Sequence, residues 1–113
     1  MPHWDELTKK QKKHIREIAG VAYEREMAAA LDTLLAVFQK WKKGTANPFD
    51  VNEAIHKYHD GRSRDLYKQY VMGDADMAVM LALARGALKI EELNEDCRAF
   101  YQERVDRLRD RQE

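Results

Sequence analysis

Between Trp4 and Lys43 apolar side chains recur at helical spacing with no proline, and only Gly20 interrupts them. The spacing predicts one long helix over about residues 4–43, or two joined near Gly20, with Gly44 as its stop. Leu7, Ile15, Ile18 and Ala22 mark a first apolar stripe, and Met27, Leu31, Leu34, Phe38 and Trp41 follow a 4-3-4-3 spacing on a face rotated from it. That rotation predicts a bend near Gly20 or a change of packing partner. The run from Ala28 to Phe38, AAALDTLLAVF, is apolar on nearly all sides, which predicts burial rather than contact with a single neighbour.

The middle of the chain, NPFDVNEAIHKYHDGRSRDLYKQYVMG, holds the densest punctuation. Asn47-Pro48 reads as a turn, and Asp50 with Glu53 three residues on reads as a capping box opening a short helix over about residues 50–60. Gly61 is the expected end of that helix. Ser63 is the expected cap of a second one over about residues 63–72, closed by Gly73. Asp74 or Asp76 then opens a second long helix over about residues 75–109, whose first half, MAVMLALARGAL, is again apolar nearly all round.

The resulting expectation is an all-α single domain over residues 1–113, with two long antiparallel helices joined through a short helix-turn-helix segment. The two all-round apolar segments then meet at one head, where Met27, Met72, Met77 and Met80 join Phe38 and Trp41. Residues 5–20 and 98–111 form a stalk. A lone helical pair leaves much apolar perimeter in water, so a homodimer completing a helical bundle is expected, formed through the head, the stalk or both.

Composition adjusts this picture in three places. Equal counts of acidic and basic residues leave zero formal net charge, so no global field draws the protein to nucleic acid or an anionic membrane. The longest strongly apolar run, Met77–Ala84, falls far short of the ~20 residues a membrane span needs. Cys97 is the sole cysteine, expected as a buried, inert thiol on the inner stripe with Leu93 and Phe100, and at home in a reducing compartment. With the charged start MPHWDELTKKQKK unlike a signal peptide, these point to a cytoplasmic protein.

Candidate chemistry is sparse. Glu53, His56 and Asp60, with His59 at the edge, share one face of the first short helix and could furnish ligands to a divalent metal or an acid-base site, though a solvated polar face accounts for them as well. Arg62, Ser63 and Arg64 stand at the expected start of the second short helix, where free amides and guanidinium groups would hold an anion unless Asp60 and Asp65 neutralise them. Lys9, Lys10, Lys12, Lys13 and Arg16 form a basic patch, expected to be laced with ion pairs to the carboxylates of the stalk. Nucleic acid could be met by that patch or by the second short helix, but the region 44–76 carries four basic against six acidic residues, the wrong sign for phosphate contacts. No Ser-His-Asp or Cys-His constellation, Walker loop or dinucleotide fingerprint occurs. The leading expectation is therefore a non-catalytic oligomeric protein acting through protein-protein contact and needing no cofactor. A metal or acid-base site is second, and nucleic-acid binding third.

Overall fold

In the computed structural model, which describes residues 3–112, every regular element is helical and no strand occurs among the described residues. After a 3₁₀ turn at Trp4–Glu6, α1 spans Lys9–Lys42. It starts later than expected because Thr8, not a residue near Trp4, is its cap. The Thr8 hydroxyl accepts from the Gln11 amide at 3.1 Å, and the Gln11 side chain accepts from the Thr8 amide at 2.8 Å. This is a reciprocal capping box. α1 runs unbroken through Gly20 and ends in a Schellman turn. Gly44 sits at φ 85°, the Thr45 amide donates to the Lys40 carbonyl, and the Gly44 amide donates to that of Trp41.

The next helix also starts elsewhere than expected. Asn47 is the cap and Pro48 the first helical residue, with Asp50 closing the box three residues after the cap. Proline suits that position because its missing N–H would lie outside the helical ladder in any case. The helical path then runs from Pro48 to Met72 without a break: α2 at Pro48–Lys57, a π-helical turn at Tyr58–Ser63, α3 at Arg64–Tyr67 and a second π-helical stretch at Lys68–Met72. The expected helix-turn-helix is thus absent. Gly61 does not take the left-handed conformation that ends a helix, since among the described residues positive φ occurs only at Gly44 and Gly86.

The second long helix is two. α4, at Ala75–Arg85, is capped by Asp74, whose carboxylate accepts from the Met77 amide at 2.7 Å. It stops where Gly86 turns left-handed at φ 85° and the Ala87 amide reaches back to the Ala82 carbonyl. A 3₁₀ turn at Ile90–Glu92 follows, and α5 occupies Glu95–Gln112. The connection is pinned to α1, the Asn94 amide donating to His14 Nε2 at 3.0 Å and Arg25 pairing with Glu92 at 2.6 Å.

The core lies where a stalk was expected. Ile15, Ala19 and Ala22 of α1 pack with Val79, Ala82 and Leu83 of α4, with Leu88 and Leu93 of the connection, and with Cys97, Phe100, Tyr101 and Val105 of α5. The alanines at 19, 22 and 82 let α1 and α4 approach closely. Asp76 and Arg104 close one edge at 2.8 Å, with the guanidinium 4.7 Å above the Phe100 ring. Cys97 is buried, and burial pushes its thiol up to about 11.

The segment expected to be buried on all sides is instead an arm. Ala28, Ala29, Leu31, Leu35 and Ala36 are exposed, and the head cluster of methionines does not form, Met72 being 71% and Met77 45% exposed. α1 changes partner along its length, from α4 and α5 in its first half to α2 beyond Glu26. That change, with no break at Gly20, places Leu34 of the second stripe against the α2 run, while Leu31 of the same stripe stays exposed. The 34 residues of α1 make a rod of about 51 Å, close to the longest dimension of the molecule, 55 Å. A radius of gyration of 17.4 Å, against about 13 Å for a compact chain of this length, reflects the protruding arm.

Gly20 provides a clean check on α1. It is exposed, helical and in the interior of the helix, and a Cβ placed there meets nothing within 4 Å. Gly20→Ala should therefore raise stability in urea unfolding by about 0.5–1 kcal/mol, from the lost flexibility of the unfolded chain. A loss of stability would mean that the helix is bent or broken there.

Candidate functional site

The stripe Ile15, Ala19, Ala22 continues with the same 4-3-4 spacing to Glu26, so a carboxylate stands where the next core residue belongs. Glu26 is 7% exposed. Three side chains converge on it. Arg85, at the end of α4, donates from Nε to Oε1 at 3.1 Å and from Nη2 to Oε2 at 2.9 Å. The Tyr70 hydroxyl donates to Oε2 at 2.5 Å, and Arg62 Nη2 reaches Oε1 at 3.4 Å. Gln69 holds the same Arg85 Nη2 through its side-chain oxygen at 3.0 Å, and Tyr70 stacks on Tyr23 with ring centroids 4.9 Å apart.

Burial alone would push the Glu26 carboxyl up. The hydrogen bonds from Arg85 and Tyr70, with the charges of Arg85 and Arg62, outweigh it and hold the group below the usual carboxylate range. Tyr70 moves the opposite way, raised by burial and by its bond to the Glu26 carboxylate.

The π-helical stretches explain how Arg62 and Tyr70 reach one carboxylate. Eight residues along an ideal α-helix leave two side chains about 80° apart. The wider i→i+5 turns reset that angle by placing extra residues in each turn. Tyr58–Ser63 contains Arg62 and Lys68–Met72 contains Tyr70.

Beside this knot lies an open groove of about 470 Å³ between α1 and the α2 run, with Glu26 and Arg62 at one end. Its walls include Ala29, Ala30, Leu34, Val37, Ala54 and Tyr58, and Lys57 stands among them. Arg62 is 47% exposed, so much of its guanidinium faces solvent after meeting Glu26.

The residues singled out in the sequence fare unevenly. Glu53, His56, His59 and Asp60 are all exposed, Glu53 pairs with Lys57 at 3.1 Å, and among the described residues no three His, Cys, Asp or Glu side chains converge as a metal site would require. The expected anion site at Arg62, Ser63 and Arg64 rested on a helix N-terminus that does not exist, because the backbone there continues a helix. The three side chains also part company: Arg62 turns to Glu26, while Ser63 and Arg64 line a separate hollow of about 510 Å³ with Tyr23, His59, Tyr67, Lys68 and Met72. The second short helix proposed to enter DNA has no separate existence either.

Lys9, Lys10, Lys12, Lys13 and Arg16 are not laced with ion pairs. Among the described residues no carboxylate stands within 4.0 Å of any of them, and Lys12 and Arg16 instead lie 5.9 Å and 6.0 Å from the centre of the Trp4 ring. Glu103, expected as one of their partners, is bound by Arg107 on its own helix.

Sequence reasoning missed Glu26, Tyr70 and Arg85. The available signal was the continuation of Ile15, Ala19 and Ala22 onto an acidic residue, since a carboxylate at a core position demands a cationic partner. No helix among the described residues is long and apolar enough to cross a membrane. Comparison with protein-family models, curated proteins and solved structures finds no match to this chain.

Proposed function

We propose that the protein is a non-catalytic helical module that acts by protein-protein contact and self-associates through the outer face of the α1 arm. The observation that carries this reading is a stripe that complements itself. Glu24, Ala28, Leu31, Leu35, Phe38 and Lys42 follow a 4-3-4-3-4 spacing. All are exposed except the half-buried Phe38, with Leu31 at 43% and Leu35 at 51%. Spacing of this kind is what one helix needs to seat a second.

The order of residues selects the partner. If two copies pair antiparallel about Thr33, Leu31 of one meets Leu35 of the other, the small Ala28 meets the large Phe38, and Glu24 meets Lys42. An isologous two-fold contact requires this kind of palindrome. A parallel pairing would set Glu24 against Glu24 and Lys42 against Lys42. Leu35 and its stripe face away from α2, leaving room for the second copy.

Charge exchange tests the register. By light scattering at micromolar concentration the protein should be a dimer, Glu24→Lys should shift it toward monomer, and Glu24→Lys with Lys42→Glu should restore the dimer. The two sites lie about 27 Å apart along one helix, so rescue must act between copies. A wild-type protein that stays monomeric, or a double variant no better than the single one, overturns the proposal.

A further inference from the structure

We infer that the groove between α1 and the α2 run binds a small amphipathic anion, a carboxylate with a short aliphatic chain, its head group held by Arg62 and its chain lying against Ala29, Ala30, Leu34, Val37 and Ala54. The groove is distinct from the self-association stripe. Leu35 follows Thr33 by two residues, which at about 100° each puts it on the opposite side of α1 from the groove that Thr33 lines.

Charge sets the sign of the ligand. At the Glu26 end of the groove that one carboxylate meets two guanidinium groups, Arg62, which lines the groove, and Arg85 behind it. Arg85 satisfies both carboxylate oxygens and is itself held by Gln69. Arg62 makes a single long contact of 3.4 Å and keeps its other donors free of protein partners among the described residues. The cluster therefore carries one positive charge more than it neutralises, and the group bearing it borders the groove. Lys57, at the same wall, adds a second cation whose exposed partner Glu53 holds it only at the surface.

The walls set the rest of the ligand. They are formed by alanines, Leu34, Val37 and the Tyr58 ring, and a volume of about 470 Å³ falls within the ~300–1,000 Å³ of small-molecule sites. An apolar trough ending in one under-neutralised guanidinium matches a hydrocarbon chain ending in a carboxylate, which can meet the fork of an arginine through two oxygens. The π-helical turn that carries Arg62 toward this end is a distortion that recurs at functional sites.

Octanoate and octanol serve as probes below the concentration at which octanoate forms micelles. Calorimetric titration of the full chain should give saturable one-to-one binding of octanoate, at least tenfold tighter than that of octanol. Arg62→Gln should remove that preference while leaving octanol binding unchanged, because Arg85 still secures Glu26. Ala29→Phe, at an exposed wall position, should abolish binding of both by filling the trough, with light scattering unchanged from the wild type. Failure of octanoate to bind, equal binding of octanol, or an undiminished preference in Arg62→Gln each overturns the inference. None of these outcomes bears on self-association, which the charge exchange at Glu24 and Lys42 tests on the other face.

Discussion

Glu26→Ala should destabilise the protein by about 2–4 kcal/mol in chemical unfolding at neutral pH. Removing one partner of a buried ion pair costs about 3–5 kcal/mol when the charge left behind has nowhere to go. Here Arg85 and Arg62 retain side-chain exposures of 35% and 47%, so water screens them and brings the loss down to about 2–4 kcal/mol. Tyr70→Phe should cost about 1.5–3 kcal/mol, the value of a hydrogen bond to a charged acceptor, while the stacking on Tyr23 survives. Arg62→Ala should cost least, because its contact with Glu26 is long and partly solvated.

The same carboxylate sets the acid response. The folded-state pKa of Glu26 is lowered, so the unfolded chain takes up its proton first as the pH falls. The stabilisation is complete above the unfolded value of about 4.5 and is lost as the pH drops through the lower folded value. Glu92, held down to about 2 by its hydrogen bond from Arg25, acts in the same direction at the surface. Glu26→Gln should therefore flatten the fall in stability as the pH drops below 4.5, relative to the wild type. An unchanged slope would show that the carboxylate is not ionised in its buried position.

Much of this architecture was legible residue by residue, and the failures share a cause. Helical class, the stop at Gly44, a cap at Asp74 or Asp76 and the buried Cys97 all follow from local chemistry, and local chemistry is what a sequence displays directly. Gly61 and Gly86 show where that ends. Both stand in helical surroundings, yet one continues its helix and the other ends it. What separates them lies in contact: residues 58–63 stay helical while carrying Arg62 to Glu26, whereas the left-handed turn at Gly86 sends the chain toward α1, where Arg25 and His14 hold it. The candidate site failed for the same reason. Histidines and paired arginines in 53–64 are conspicuous in one dimension. Glu26, Tyr70 and Arg85, separated by 44 and 59 residues from Glu26 to its partners, become a unit only in three.

The location of the core makes the second large prediction, and it separates two leucines that the sequence presents as equivalent. Both belong to runs that are apolar on nearly all sides. Leu83 is 2% exposed, inside the cluster with Ile15, Ala19 and Tyr101. Leu35 is 51% exposed on the arm. Leu83→Ala should cost about 2–5 kcal/mol, combining lost transfer energy with the cavity left among side chains that α1 and α5 hold in place. Leu35→Ala should cost the folded monomer less than about 0.5 kcal/mol, since it removes little area from contact. Its effect should appear instead in light scattering, as weaker self-association through the stripe that pairs Leu35 with Leu31 of a second copy. Measured in urea at a protein concentration low enough to keep the chain monomeric, the two substitutions should differ at least fourfold in free energy. Comparable losses would return the core to the arm and remove the exposed surface on which the proposed dimer rests.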